Sequence, residues 1–252
     1  MASGRSPENG QVVTPRGAVG QSNSAPQFVY VNDVANDGWL QTRKEGSPTL
    51  VPLIKYTKLQ RLRETNDRTF FKVMDGPSAG LTVSLASVNV VKYIGTRAPS
   101  QTPARVIVTY GKYVEGWISH ARNDQALNQQ LANLDVDDIH VQVTMNTNWG
   151  VGYYPLPAGT YTILVPDGPH KADMTRFYRN VEPTLKYDQA WFPIQFGDNS
   201  RYVHVGNVSD GCTTVLGLAE WSKIYEALAS HRTHQGTSVG VLEVKGTPQR
   251  AK

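Results

Sequence analysis

The chain is short of several residues and patterns on which common protein functions depend. It has one cysteine, Cys212, among 252 residues, so no internal disulfide can form. The six histidines are scattered, and His231 and His234, the only close pair, lack an obvious third ligand for zinc. No apolar run reaches the roughly 20 residues that cross a bilayer. We therefore expect no disulfide framework, no metal site and no membrane span.

Charge of one sign is also scarce. Lys and Arg number 25 against 21 Asp and Glu, which gives a net charge of +4. The segment 55–63 interleaves cations with apolar residues, but a strand with one solvated basic face accounts for it, so we expect no nucleic-acid partner. With 39% hydrophobic residues, 22 Gly and 15 Pro, the composition favours a mainly β fold with two or three helices.

Three regions are expected along the chain. Residues 1–27 are rich in Gly, Ser, Pro and Asn, which predicts a flexible arm. From 28 to 97, short apolar runs alternate with turn signals, which predicts a small SH3-like β domain with a docking or targeting role. Residues 102–246 form a second domain that opens on a strand. We expect any larger assembly to bind through residues 1–97.

Two amphipathic helices are predicted in the second domain. Asn123–Leu134 carries Leu127, Leu131 and Leu134 at spacings of four and three, and Asn123 is a suitable N-cap. Leu218–His231 places Trp221, Ile224, Tyr225 and Leu228 on one face. The apolar run Trp191-Phe192-Pro193-Ile194 is interpreted as a buried core strand.

The chemistry of the chain centres on its cysteine. Cys212 lies in Ser209-Asp210-Gly211-Cys212-Thr213, eight residues after His204. A thiol beside an imidazole can act as a nucleophile, with His204 holding the thiolate and later protonating a leaving amine. The backbone N–H groups of Gly211 and Cys212 are candidates for an oxyanion hole. A buried structural cysteine beside a core histidine fits the same spacing.

The order of motifs around Cys212 adds to this pattern. Pro157-Ala158-Gly159-Thr160-Tyr161-Thr162-Ile163 is followed by Tyr202-Val203-His204 and by Ser209-Asp210-Gly211-Cys212. With these motifs, residues 155–244 resemble the catalytic domain of the L,D-transpeptidase family, cysteine enzymes that act on bacterial peptidoglycan. Family members commonly carry Ser-His-Gly-Cys, then an apolar residue and Arg or Asn. Here Asp210 replaces the second His, Thr214 replaces the Arg or Asn, and the interval from His204 to Cys212 is short, as in a divergent branch.

The resemblance implies a β-sandwich or barrel catalytic domain and a substrate. Cys212 would attack the amide of a tetrapeptide stem, expel the terminal D-Ala and pass the acyl group to an amine or to water. This L,D-transpeptidase or L,D-carboxypeptidase chemistry needs no cofactor. Residues expected to bind the substrate or orient the base are Ser209, Asp210, His170, Arg201 and Thr214. His170 would lie beneath a lid formed by residues 172–189, Arg201 could pair with a stem carboxylate, and either Asp210 or a backbone carbonyl could orient the imidazole.

Two alternatives stay open beside the enzyme. The first is a catalytically silent wall-binding or structural component of a phage tail or contractile injection assembly, because fold and function separate easily. The second is a cysteine peptidase that acts on protein. The implied place of action is the bacterial envelope or periplasm. Since the first 27 residues lack the regions of a signal peptide, we expect a delivered effector, a virion-borne protein, a non-Sec route or a chain whose leader has been removed.

Overall fold

The structure is a computed structural model that describes Met1, residues 27–149 and residues 152–250. The chain is mainly β, with 44% of residues in strands, 12% helical and two α-helices within the described residues, which confirms the expected class. The arm predicted at residues 1–27 lies outside the described residues except for its two end positions. No helix in the described part is long and apolar enough to cross a membrane.

The first sheet has seven strands, and each neighbouring pair is antiparallel. Its spatial order is β3-β2-β6-β5-β4-β1-β7. Helix α1, Ser87–Tyr93, connects β6 to β7 and buries none of its side chains. The strands are β1 Phe28–Val31, β2 Trp39–Lys44, β3 Leu50–Ile54, β4 Lys58–Glu64, β5 Arg68–Val73, β6 Thr82–Ala86 and β7 Ile94–Gly95.

The second sheet has eight strands and closes into a barrel of order β10-β14-β13-β12-β11-β15-β8-β9. Two pairs are parallel, β13 with β14 and β15 with β8. Side chains alternate between the two faces of a strand, so the barrel buries one face of each strand inside. The strands are β8 Ala104–Ser119, β9 Gln125–Val136, β10 Ile139–Asn146, β11 Gly159–Leu164, β12 Phe192–Ile194, β13 Arg201–Val205, β14 Thr213–Val215 and β15 Ser238–Lys245.

One of the two predicted helices is confirmed. Helix α2, Trp221–Ala229, lies within the predicted range and buries the expected Trp221, Ile224, Tyr225 and Leu228. Its C-terminal end is capped by the nearly buried Arg232, which donates to the Ala229 carbonyl at 2.9 Å and to the Lys55 carbonyl of the first sheet region at 3.0 Å. The same guanidinium therefore satisfies a helix end and joins α2 to the turn between β3 and β4.

The other predicted helix, Asn123–Leu134, is wrong, because residues 125–136 form β9. Asn123 has φ 55° and Asp124 has φ 57°, so the supposed cap is a left-handed turn. The step from Leu127 to Leu131 suits one face of a strand, whereas the odd step to Leu134 does not. All three leucines are nevertheless buried, Leu134 in the main core cluster and Leu127 and Leu131 outside it. A strand that buries leucines on both of its faces imitates helical spacing.

The first sheet packs directly against the barrel. Trp39, Ile54 and Tyr56 belong to the same hydrophobic core as the barrel interior. The loop between β1 and β2 also meets the segment 172–189, because the Asn36 carbonyl accepts from the Tyr187 N–H at 2.6 Å. The first sheet therefore supports part of the barrel surface that surrounds Cys212.

Candidate functional site

The parallel pair β13 and β14 brings the two predicted catalytic residues to one cavity. In this pair His204 lies opposite Thr214 and Val203 opposite Thr213, so Cys212 precedes β14 on the side of Tyr202. His204 and Cys212 both line a cavity of about 410 Å³. The cavity is further bounded by residues of the segment 172–189, which we call the lid segment, and by Arg122, Trp191, Ser200, Tyr202, Val208 and Asp210.

Cys212 is a thiol in the resting structure. Its side chain lies at the cavity wall but is only 6% exposed. Burial raises its pKa to about 11, although hydrogen bonding to the Tyr202 backbone and the charge of Arg201 act in the opposite direction. A thiolate held permanently by His204, as the sequence suggested, is therefore not the ground state. The nucleophile has to lose its proton during the reaction.

His204 is a neutral base with an assigned tautomer. Its Nδ1 lies 2.9 Å from the Val205 carbonyl, which can only accept, so Nδ1 carries the proton and Nε2 has the free lone pair. Burial lowers the pKa of His204 to about 4. Nε2 accepts from the Thr214 hydroxyl at 2.9 Å. A backbone carbonyl, rather than Asp210, thus orients the ring, and no described hydrogen bond joins the ring to Cys212.

The indole of Trp191 stacks on the candidate base. The ring centroids of Trp191 and His204 are 4.0 Å apart with 19° between their planes, and His170 stacks on Trp191 at 3.9 Å and 17°. The predicted core residue Trp191 is therefore partly exposed and lines the cavity. His170 reaches the site through this indole, and it also makes a T-shaped contact with Tyr202, with the ring centroids 4.7 Å apart.

Gly211 has no room for a side chain, because other atoms of the protein lie close to its Cα. The residue has φ +89°, and a Cβ there would lie 1.3 Å from Nη1 of Arg201 and 2.3 Å from the Tyr154 carbonyl oxygen. Arg201 uses that nitrogen to donate to the Tyr154 carbonyl at 2.6 Å and to the Asp210 carbonyl at 3.2 Å. It therefore braces the turn before Cys212 and stands outside the cavity lining.

The two proposed oxyanion donors have no partner in the described part of the chain: neither the Gly211 N–H nor the Cys212 N–H donates a hydrogen bond there. Ser209 is buried and donates its hydroxyl proton to the Cys212 carbonyl at 2.7 Å. Ser209 thus orients the nucleophile's backbone. Asp210 lines the cavity and accepts a hydrogen bond from Asn148.

Residues 206–212, which we call the Cys212 loop, rest on a buried polar network that the sequence analysis missed. The fully buried Gln129 donates to the Asn207 carbonyl at 2.9 Å and accepts from the Thr144 and Thr147 hydroxyls at 2.5 and 2.7 Å. The Ser209 carbonyl accepts from the Thr147 N–H at 2.8 Å. Adjacent glutamines between leucines in an apolar run were the available signal.

Arg122 also lines the Cys212 cavity, and a second cavity lies elsewhere on the surface. Arg122 places its guanidinium 5.3 Å from the Phe177 ring centroid and has no ion pair among the described residues. A larger open depression of about 820 Å³ lies elsewhere, between α2 and the start of β10, and is lined by a mixture of charged residues without a thiol. Within the described residues no group of His, Cys, Asp and Glu is placed to hold a metal ion.

No protein-family model, no curated protein and no solved structure matches this chain. The L,D-transpeptidase family therefore stays an expectation from the short motifs of the sequence.

Proposed function

We propose that the chain is a cysteine acyl-transfer enzyme of the L,D-transpeptidase or L,D-carboxypeptidase type that acts on peptidoglycan stem peptides. The observation that carries the proposal is one cavity lined by a lone cysteine and by a histidine whose Nδ1–H is held by a backbone carbonyl. Such a histidine offers Nε2 as general base, and a thiol is the nucleophile that base would activate.

The reaction begins with transfer of the thiol proton to Nε2 of His204. Thr214 can release Nε2, because its hydroxyl has a second acceptor in the Val208 carbonyl at 3.3 Å. The sulfur then bonds to the amide carbon, and the oxygen that becomes negative is stabilised by the N–H groups of Gly211 and Cys212. The C–N bond breaks as His204 returns the proton to the leaving amine.

The thioester that results is resolved by a second nucleophile. Attack by an amine gives a cross-link or amino-acid exchange, and attack by water gives a tripeptide. In either case His204 removes a proton from the nucleophile, and the sulfur leaves as the thiolate that is reprotonated. No step requires a metal ion or an organic cofactor.

The fold assignment is part of the same proposal. It is supported by Gly159–Leu164 as strand β11, by the His204 motif on β13 and by the position of Cys212 immediately before β14. We interpret the barrel as an L,D-transpeptidase-like domain and residues 28–97 as an SH3-like docking module. The place of action that goes with this substrate is the bacterial envelope, reached as an effector or on a virion.

The decisive experiment incubates the purified protein with tetrapeptide stems and follows the products by mass spectrometry. We expect tripeptide, exchanged or cross-linked products, and an intact-protein mass increase equal to one acyl group. Cys212→Ala removes the only thiol of the chain, so it should abolish both signals while circular dichroism remains unchanged. Stems left intact by the wild-type protein at high loading would overturn the proposal.

A catalytically silent wall-binding or structural component is the second candidate. The observation that favours it is that burial raises the pKa of Cys212 to about 11 and that both ring nitrogens of His204 already have partners. This protein would bind peptidoglycan without turnover, and Cys212→Ala would bind as tightly as the wild type. Co-sedimentation with purified sacculi, run beside the turnover assay, separates the two candidates.

A further inference from the structure

Three aromatic rings form a continuous stack at the cavity. Trp191 is sandwiched between His204 on one face and His170 on the other, with centroid distances of 4.0 and 3.9 Å and nearly parallel planes. The Trp191 N–H donates to the Asp188 carbonyl at 2.9 Å, which fixes the indole in this orientation. An indole held face to face between two imidazoles exceeds what core packing alone requires.

The electrostatics of such a stack depend on which ring is charged. The face of an indole is negative and attracts a cation placed over it, and the attraction grows when water is excluded. His204 is nearly inaccessible and His170 is half-buried, so both faces of the indole are largely protected. Only one imidazole at a time can be protonated and gain the full attraction to the indole face, because two positive rings on the same indole repel each other.

We propose that Trp191 is a positioning residue that holds the His204 ring and stabilises its protonated form, and that His170, through the same indole, sets how readily His204 accepts a proton. The proposal rests on the proposed function in one respect: proton uptake by His204 is the step in which Cys212 is activated. The stack itself does not depend on which acyl group is transferred.

The direction of the effect follows from charge. When His170 is neutral, the indole stabilises only the imidazolium of His204, so proton transfer from Cys212 is favoured. When His170 is protonated, the second positive charge opposes that transfer. Burial lowers the pKa of His170, and Asp167 acts in the opposite direction. His204 correspondingly has its pKa lowered chiefly by burial, with His170 adding to the effect. As the pH falls, His204 should therefore become a weaker base at a higher pH than it would without His170 beside the same indole.

The other charged and titratable groups around the stack are known. Asp167 and Tyr202 lie beside His170, and the Asp167 carboxylate partly offsets a positive charge on that ring. The charged and titratable groups that share the cavity with His204 are Cys212, Asp210, Arg122, Asp173, Tyr178 and Tyr202. None of them is substituted in the variants used below, so they act as a constant background.

The test measures the stack without relying on turnover. Histidine ring resonances are titrated by NMR in the wild type, in His170→Phe, which keeps a flat neutral ring, and in Trp191→Leu, which removes the π face. In parallel, the rate of Cys212 alkylation by iodoacetamide is measured from pH 4 to 9. Since Cys212 is the only cysteine, one mass addition reports this residue alone. His140→Gln removes an exposed histidine outside the stack and serves as control.

We expect His170→Phe to raise the pKa of His204 and to extend alkylation to lower pH. Trp191→Leu should lower that pKa and slow alkylation about tenfold at neutral pH, and Trp191→Phe should fall between it and the wild type. His140→Gln should match the wild type. If the His204 titration is the same in the wild type, His170→Phe and Trp191→Phe, the inference is overturned. If the titrations shift as expected but stems remain intact, only the proposed function fails.

Discussion

The two walls of the cavity are built in different ways. The Cys212 loop is anchored by a buried network in which every polar group of Gln129 has a partner. The lid segment is anchored by the ion pair of Arg179 with the buried Asp188 and by backbone hydrogen bonds to the loop before β2. Within the described chain, Arg179 Nε, Asp188 Oδ2 and Thr175 Oγ1 are buried without a hydrogen-bond partner.

The difference indicates a division of labour. A nucleophile has to be held within a fraction of an ångström, and satisfied buried networks are rigid. Unsatisfied buried groups have a cost, so a wall that contains them gains when it moves or takes up water or ligand. We therefore expect substitutions that disturb the Cys212 loop to be strongly destabilising and the loop itself to move little. The lid segment should tolerate substitutions better and open more readily.

The largest expected effect is on the Cys212 loop. Gln129→Leu leaves the Asn207 carbonyl and the Thr144 and Thr147 hydroxyls without their partner, so the free energy of unfolding should fall by about 4 kcal/mol. Urea denaturation followed by circular dichroism measures this. Asn133→Leu changes an exposed amide on the same strand and should stay within about 0.5 kcal/mol. Equal losses in the two variants would contradict a special role for the network.

The second effect concerns pH. The pKa of His204 is lowered by burial from 6.5 to about 4, so below pH 6.5 the unfolded chain binds the proton more readily. Stability contributed by the neutral ring is complete above pH 6.5 and is lost as the pH falls toward 4, by at most about 3 kcal/mol. Urea midpoints at pH 7, 5.5 and 4.5 measure the loss. In His204→Gln the loss of stability between pH 7 and 4.5 should be smaller. A loss identical to that of the wild type would show that burial of His204 is not its cause.

The third effect tests the lid segment. Asp188→Asn weakens the pair with Arg179 and should lower the free energy of unfolding by about 2 kcal/mol. Asp173→Asn breaks the exposed pair with Arg176 in the same segment and should cost less than about 0.5 kcal/mol. Thermal unfolding compares them. The double variant Arg179→Met, Asp188→Leu should recover most of the loss, since two apolar groups leave no buried charge; no recovery would count against this account.

The smallest effect is expected at the outer edge of the Cys212 loop. Asn148→Ala removes an exposed hydrogen bond to Asp210, so stability should change by less than about 0.5 kcal/mol. Hydrogen exchange of the amides in residues 206–212 should likewise remain as slow as in the wild type. Faster exchange there would show that the exposed tether, as well as the Gln129 network, holds the loop.

The predictability of the fold differed between elements for a physical reason. Helix α2 was predictable because its apolar stripe continues over more than two turns with no polar interruption. Strand β9 was mistaken for a helix because it buries leucines on both of its faces. Local spacing carries no information about which distant segments cover each face of a strand.

The candidate site divides in the same way. The short interval between His204 and Cys212 led us to expect a thiol beside an imidazole, and both residues line one cavity. The assignment of Arg201 to a substrate carboxylate did not foresee that its Nη1 is taken up by two backbone carbonyls. Trp191 was interpreted as core because an aromatic beside a buried strand has that role in most proteins.

By itself the sequence determined the mainly β character, helix α2 and the single thiol near an imidazole, since each depends on composition or on neighbours along the chain. Only the tertiary structure decided which groups surround that thiol: the carbonyl on Nδ1 of His204, the indole between two imidazoles and the glutamine beneath the Cys212 loop. Trp191 and Gln129 come from strand regions distant along the chain, and closure of the barrel is what brings such residues together.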